Sequence, residues 1–469
     1  MFNRFFNSQT KSISGGALIL AISALISRLL GLIREGLLMA RFGASPDLDI
    51  YFAAFRIPDL VYNVLIAGGI IVAFLPLFSQ IYSKDKDEAW QFTNNTLNVF
   101  LFLLISLCLI LFIFTPSLVK LIAPGFSAQQ KAQTVFLTRL MFLSPILFGL
   151  SSIFSGILQY FNRFLVYSLC PILYNLGIIL GILFLSPRFG ILGVALGVIL
   201  GAAFHFLIQI PSAINCGFSY KSIFNFRAPK IKKVFTLMVP RTIGVAAQQI
   251  NLIVITAIAS TLVTGSITIF NFANNLQYLP IGIIGISFAI AAFPRLTQVW
   301  AENRKEEFIN SFFSVFRQIL YLIIPASFLI FILRTQIITI ISRLGLFILG
   351  TSQFSTLAIR LTTACLGLFC LGLWAVALIP LVLRAFFALQ DTKTPTLIAI
   401  FTMILNIILS FTFVWLLKTP GFLSVSLIKI FNLEAIENIQ VLGLPLAFSL
   451  SSIFQFILLL TLLLKKLRL

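Results

Sequence analysis

Ala73-Phe74-Leu75-Pro76-Leu77-Phe78-Ser79-Gln80 ends one long apolar stretch of this chain, and Ala292-Phe293-Pro294-Arg295-Leu296-Thr297-Gln298 ends another. The same markers precede both: Phe52-Ala53 then Pro58 in the first case, Phe272-Ala273 then Pro280 in the second. A further pair of echoes follows in the same order. Ile191-Leu192-Gly193 with Phe204-His205-Phe206 is matched by Val441-Leu442-Gly443 with Phe454-Gln455-Phe456. Two ordered matches imply a duplicated chain, and the repeating units are apolar enough to be membrane spans.

The composition requires a membrane. Of 469 residues 59% are hydrophobic and only 10% charged, whereas soluble domains carry about 25% charged residues. A crossing helix needs about 20 mostly apolar residues. On that measure about twelve spans are expected, over residues 15–42, 50–80, 92–118, 134–160, 164–186, 190–213, 234–262, 266–298, 309–333, 356–386, 393–417 and 440–464. The expected fold is an all-α polytopic membrane protein. Two lobes of about six helices, 1–213 and 234–469, are joined by a basic linker at 214–233. An even number of spans per lobe makes both enter from the same side, so the repeat is parallel. Such halves with a site between them are a transporter architecture.

The net charge of +20 would suggest a nucleic-acid partner in a soluble protein. Here the bases alternate by side. Lys84, Lys86, Arg163, Lys221, Arg227, Lys230, Lys232, Lys233, Arg304, Lys305, Lys393, Lys465, Lys466 and Arg468 fall on the side of the N-terminus, with Arg4 and Lys11. Arg41, Lys131, Arg188 and Lys418 fall on the other. The positive-inside rule then puts both termini in the cytoplasm. Membrane lipids are the expected partners, and no nucleic acid is expected. The 51 phenylalanines read as lipid-facing and inter-helix packing. The five cysteines (Cys108, Cys170, Cys216, Cys365, Cys370) lack metal-ligand spacing and read as small hydrophobes. The lone His205 reads as a packed helix residue. With few acids and no phosphate-cradling glycine loop, the chain is expected to be no enzyme and to hold no metal or cofactor.

Charges inside the first two spans carry the functional signal, because a cation near the bilayer centre costs roughly 3 kcal/mol. The first span holds Arg28, Arg34 and Glu35; Asp49 opens the second, which holds Arg56 and Asp59. At about 100° per residue Arg28 and Glu35 share a face, while Arg34 points elsewhere. One arginine is therefore expected to be neutralised in part by Glu35 while another points into a wet cavity. Asp49 shares a face with Arg56, and Arg56–Asp59 has the spacing of an intrahelical pair. All the deep bases are arginines, whose planar fork suits phosphate. The alternative is that these charges only pair with one another and pin the two helices. In the second half Asn274, Asn275 and Gln277 stand where matching cations were expected. Asn251, Thr392 and Asn406 offer oxygens to a coupling cation, or simply bond to nearby backbone.

Ser27-Arg28-Leu29-Leu30-Gly31-Leu32-Ile33-Arg34-Glu35, then Phe42-Gly43-Ala44, Asp49 and Phe55-Arg56-Ile57-Pro58, resemble the start of the MurJ/MviN family. Ala123-Pro124-Gly125-Phe126, the run to Phe293-Pro294-Arg295-Leu296 and the segment Arg384 to Pro395 are similar to it too, so the resemblance covers essentially the whole chain. It implies a flippase for lipid II, the undecaprenyl-pyrophosphate-linked peptidoglycan precursor, in the bacterial inner membrane. It also implies membership of the wider MOP transporter group, MATE-like, with two six-helix lobes working by alternating access. On this resemblance Arg28 and Arg34 contact the pyrophosphate in a central cavity, Asp49 lies at the outer gate, Arg56 lies near the cavity wall, and Asn275 lies on the facing helix. The chain departs from the family where Asn275 replaces an arginine and where Tyr62 and Asn63 replace bases. It also ends before two further C-terminal helices that many members carry. Three other readings stand beside this one: a flippase for another polyprenyl-linked saccharide, a drug or cation exporter on the same fold, and a non-transporting scaffold for cell-wall synthesis enzymes. A cationic pocket disfavours the exporter.

Overall fold

The computed structural model describes residues 13–434, 436 and 438–467. Arg4, Lys11 and Arg468, expected to add to the basic side, lie outside them. Among the described residues every regular element is helical, and the chain gathers into two compact bodies, residues 1–41 with 50–249 and residues 42–49 with 250–469.

The first body contains α1 (Ile13–Phe42) and α2 (Pro46–Val61), which runs through π-helical turns at Tyr62–Ile70 into α3 (Ile71–Tyr82). After these come α4 (Lys86–Ile122), α5 (Ala128–Met141), α6 (Leu143–Tyr160), and α7 (Phe164–Leu180) with π turns at Gly181–Leu185. Then follow α8 (Ser186–Phe189), α9 (Ile191–Leu207), α10 (Ile210–Asn215) and the start of α11 (Pro229–Ser260). The second body contains the end of α11 and α12 (Ser266–Pro280), followed by π turns at Ile281–Ile286. It continues with α13 (Ser287–Ala301), α14 (Lys305–Leu349), α15 (Thr356–Ala388), α16 (Lys393–Leu416), α17 (Phe422–Phe431) and α18 (Gly443–Lys466). Residues 42–49, which are the last residue of α1, the turn after it and the first four residues of α2, belong to this second body.

Among the described residues nine helical stretches are long and apolar enough to cross a membrane. The expected spans at 15–42, 50–80 and 234–262 coincide with α1, with α2 to α3 and with α11. Two features were not expected. α14 continues well past residue 333 for 45 residues in all, more than twice what a crossing needs. The connection after 417 contains the short apolar helix α17.

The duplication is visible in the backbone. Pro58 precedes π-helical turns and Pro76 follows them; Pro280 and Pro294 bracket the equivalent turns in the second body. Proline has no N–H to donate and its ring crowds the carbonyl four residues back, so the ladder is locally broken. At Pro58 the freed carbonyl is that of Ala54, and the buried Thr138 hydroxyl donates to it at 3.2 Å. A neighbouring helix thus satisfies the orphan group, as the bilayer interior demands.

Glycines set the closest approach in the first body. Gly177 and Gly181 of α7 face Gly201 and Gly197 of α9, and a Cβ on any of them would collide with opposing backbone. This small-residue seam, spaced four apart, lets two apolar helices touch along their backbones. In the second body α15 is the spine. Its Leu373, Leu378, Leu381 and Phe386 are buried with Phe308 and Phe312 of α14 and Phe456, Leu459 and Leu463 of α18. Phenylalanine serves both expected uses: Phe308 is fully buried, whereas Phe328 is 65% exposed on a helix apolar enough to face lipid.

Candidate functional site

α1 carries the polar residues Ser23, Ser27, Arg28, Arg34 and Glu35, and Ser23, Ser27 and Arg34 meet α7. The Ser23 and Ser168 hydroxyls bond at 3.0 Å. Asn175 of α7 donates from Nδ2 to the Ser27 carbonyl at 3.2 Å and to the Ser27 hydroxyl at 3.1 Å. The Asn175 Oδ1 accepts from Nη1 of Arg34 at 3.0 Å, and Nη2 of Arg34 donates to Glu35 at 2.7 Å. Glu35 is buried, and Arg34 is mostly so.

The arginine that Glu35 neutralises is Arg34, although adjacent helix residues do not normally face each other. The long guanidinium arm bends back over its neighbour because Asn175 draws its other nitrogen to α7. Arg28, half-buried, stands nearly two turns earlier on α1.

α2 brings the second set of charges to the same place. Arg56 is buried and Asp59 half-buried, and Asp59 lies within electrostatic reach of both Arg56 and Arg34. The tyrosines Tyr51, Tyr62 and Tyr174 interact with this group: Tyr51 with Arg34, Glu35 and Asp59, Tyr62 with Asp59, and Tyr174 with Arg34 and Asp59. Phe148 stands between two of them, 4.9 Å from Tyr62 and 5.2 Å from Tyr174 by ring centroid. Where bases were expected, Tyr62 contributes a phenol edge, and Asn63 donates to the Asp59 carbonyl at 3.0 Å. The first body therefore gathers Arg34, Arg56, Glu35 and Asp59 with three phenols, and Arg28 adds a cation on the same helix as Arg34. Residues missed in the sequence are Asn175, Tyr51 and Tyr174. A lone asparagine within an otherwise apolar span was the available signal.

Asp49 holds the start of α12. Its carboxylate accepts from the backbone N–H of Gly265 at 2.6 Å and of Thr268 at 2.9 Å, and from the Thr268 hydroxyl at 2.7 Å. Those groups are the exposed donors of the first turn of α12, so a residue more than 200 positions away in sequence acts as its cap. The helix dipole adds to the attraction. Gly265 has φ +90 and lies against Ala44, and Gly43 with φ +65 lies against Gln353; both conformations suit glycine and leave no room for a Cβ.

On α12 Asn275 is half-buried beside the buried Asn274 and Gln277, and Gln277 donates to Asn274 at 2.9 Å. Among the described residues no group of three or more His, Cys, Asp and Glu side chains gathers as a metal site would. Asn251 is buried on α11, Asn406 accepts from Ser410 at 3.1 Å within α16, and the Thr392 carbonyl accepts from Thr396. His205 is part of a structural network. Its Nδ1 lies 2.7 Å from the Ser151 hydroxyl, and Gln209 bonds Ser151 and accepts from Ser155 at 2.9 Å.

Known proteins resemble this chain in sequence and fold. The family model described as "Lipid II flippase MurJ" matches residues 38–469. A probable lipid II flippase MurJ of Borreliella burgdorferi is 32% identical over 409 residues, which cover 84% of this chain and 76% of the relative. A probable lipid II flippase MurJ of Buchnera aphidicola subsp. Schizaphis graminum is 30% identical over 390 residues, covering 82% and 74%. Among solved structures, a lipid II flippase MurJ in an inward closed conformation superposes with a TM-score of 0.76 at 25% identity over 95% of this chain and 87% of that one. An inward-facing multidrug resistance MATE transporter of the MOP superfamily gives a TM-score of 0.75 at 14% identity, which bears on the fold alone. The chain belongs to the MurJ family of lipid II flippases.

Proposed function

We propose that the chain flips lipid II across the bacterial cytoplasmic membrane, with the arginines of α1 and α2 receiving its pyrophosphate. The observation that carries this reading is the buried group of Arg34, Arg56, Glu35 and Asp59 in a chain of this family. A guanidinium has five N–H donors, and Arg34 commits one on Nη1 to Asn175 and one on Nη2 to Glu35. The same fork keeps donors for a phosphate oxygen, and Asn175 holds it in orientation. Glu35 and Asp59 act as resident counter-ions that keep the cations affordable in a low-dielectric setting. An arriving pyrophosphate, with more charge and more acceptor oxygens, displaces them. Arg28 supplies the excess positive charge, and the tyrosine hydroxyls are suited to the sugar and further phosphate oxygens.

Asn275 and its amide neighbours on α12 supply neutral hydrogen-bonding groups for the sugar-peptide part. Asp49 is assigned to the outer gate. The lobes 1–213 and 234–469 alternate access, joined by the linker 214–233, with both termini cytoplasmic. The reaction is transport, not covalent chemistry, and cell-wall synthesis enzymes consume the delivered lipid.

Rescue of cells depleted of their own lipid II flippase tests the reading. The unaltered chain restores growth, and Arg28→Ala and Arg34→Ala do not at matched expression. Full rescue by both variants would contradict it.

A further inference from the structure

The linker between the two halves is not a loose tether. Residues 219–225 are strapped to α4 by three asparagines one helical turn or less apart. Asn94 donates to the Ser219 carbonyl at 2.9 Å and accepts from the Lys221 N–H at 2.8 Å. Asn95 donates to the Asn225 carbonyl at 3.0 Å and accepts from the Asn225 N–H at 2.6 Å. Asn98 donates to the carbonyls of Lys221 at 3.1 Å and Ile223 at 2.9 Å. A mere connection between lobes needs none of these bonds, since flexible chain spans such distances at little cost.

The strap holds aromatic rings outward and bases beside them. Tyr220, Phe224 and Phe226 are each about half or more exposed, and Lys221, Arg227, Lys232 and Lys233 are exposed as well. Lys230 is committed to Glu88 in an ion pair. Phe224 packs edge-on to Phe102 of α4 at 5.5 Å, and Phe226 stacks with Phe235 of α11 at 6.3 Å. The strap therefore bridges α4 and α11. Next to that bridge the two helices and the π turns after α2 form a mostly apolar groove of about 200 Å³, lined by Leu65, Phe100, Leu103, Phe235 and Met238 with Thr242 as its one polar residue. Lys232 precedes Phe235 by three residues, so it stands one turn toward the strap on the same face of α11.

We propose that strap and groove form a site for an anionic diacyl phospholipid of the cytoplasmic leaflet. The phosphate sits on Lys221, Arg227, Lys232 and Lys233, and one acyl chain lies in the groove. Three features argue for this occupant. Basic residues beside a spanning segment attract anionic lipid. Exposed aromatic rings are placed as they are at the membrane–water interface. The groove is mostly apolar, as an acyl chain requires and a sugar headgroup does not. The site uses none of the arginines assigned to lipid II, and it stands whether or not that assignment does.

The test uses the purified full chain in neutral detergent, titrated with phosphatidylglycerol or with phosphatidylcholine of the same acyl chains, with bound lipid read by native mass spectrometry. Phosphatidylglycerol is expected to bind more tightly, with the preference falling as salt is raised. The variant carrying Lys221→Gln, Arg227→Gln, Lys232→Gln and Lys233→Gln is expected to lose roughly tenfold or more in phosphatidylglycerol affinity. Leu103→Trp fills the groove and is expected to weaken both lipids while leaving the charge preference. Lys418→Gln, on another loop, changes neither. Equal binding of the two lipids by the unaltered chain overturns the proposal. So does a quadruple variant that binds phosphatidylglycerol as tightly as the parent, or a competing undecaprenyl phosphate that clears the phospholipid at equal concentration.

Discussion

The carboxylate of Asp49 accepts hydrogen bonds from both the backbone N–H and the side-chain hydroxyl of Thr268, at 2.9 and 2.7 Å. With the bond from Gly265 these fix the segment 42–49 to the start of α12. All three bonds are to a charged, buried acceptor and so are among the stronger kind. Asp49→Ala leaves two buried N–H groups without their acceptor and is expected to cost about 3 kcal/mol. Thr268→Val removes one bond of the three, at about 1 kcal/mol. Thermal unfolding of the purified variants should rank them in that order below the parent. A Thr268→Val loss equal to that of Asp49→Ala would contradict the capping role.

Arg34 is expected to be intolerant even of lysine. An ammonium is a point donor without the planar fork that reaches Glu35 and Asn175 together. Arg34→Lys should therefore fold and insert but fail to rescue flippase-depleted cells. Asn175→Ala, which removes the orienting acceptor, should reduce rescue while Arg34 remains. Equal rescue by Arg34→Lys and the parent would show that charge alone suffices.

The glycine seam predicts a contrast. A Cβ at Gly177 would fall onto Gly201 backbone, so Gly177→Val must push α7 away from α9 and is expected to cost about 3 kcal/mol or more. At Gly31, also within a helix, nothing lies near a Cβ. Gly31→Ala should leave stability unchanged or raise it by about 0.5 kcal/mol through helix propensity. Folded yield after membrane extraction measures both.

Asp391 predicts a pH dependence. Burial pushes its carboxyl upward, but the Lys466 ammonium at 2.7 Å and the N–H and hydroxyl of Thr394 outweigh that and hold it at about 2. A carboxyl held below its ordinary value of 3.8 contributes stability above that value. The contribution disappears as pH falls through about 2. Lys466→Met should therefore be less stable than the parent at neutral pH, and the difference should shrink between pH 4 and pH 2. A difference that is constant with pH would remove the ion pair from the account.

The sequence made the repeat and the spans legible because both depend on local pattern. Pro58 and Pro280 mark equivalent positions, and proline acts on the helix that contains it. Pairings were less legible. Helical spacing put Asp49 on a face with Arg56 and Glu35 on a face with Arg28, while the bonds themselves run from α12 to Asp49 and from Arg34 to Glu35 and Asn175. Helical geometry says which residues share a face, not which neighbour arrives there. The linker bases could be read as a topology signal, but nothing local reveals that Asn94, Asn95 and Asn98 tie down a segment about 125 residues later. The Asp391–Pro395 motif is intermediate. Its capping bonds to Thr394 are local, while the Lys466 partner is not.

The proposed recognition of pyrophosphate by the arginines of the first body is measured directly by binding. Purified chain is titrated with lipid II and with the neutral polyprenol at two salt concentrations, for the parent and for Arg34→Ala. Tight, salt-sensitive binding of lipid II by the parent is predicted, with weak binding of the polyprenol and a lipid II affinity reduced at least tenfold in Arg34→Ala, about 1.4 kcal/mol. Equal affinity for the charged and neutral lipids, or an Arg34→Ala variant indistinguishable from the parent, would contradict it.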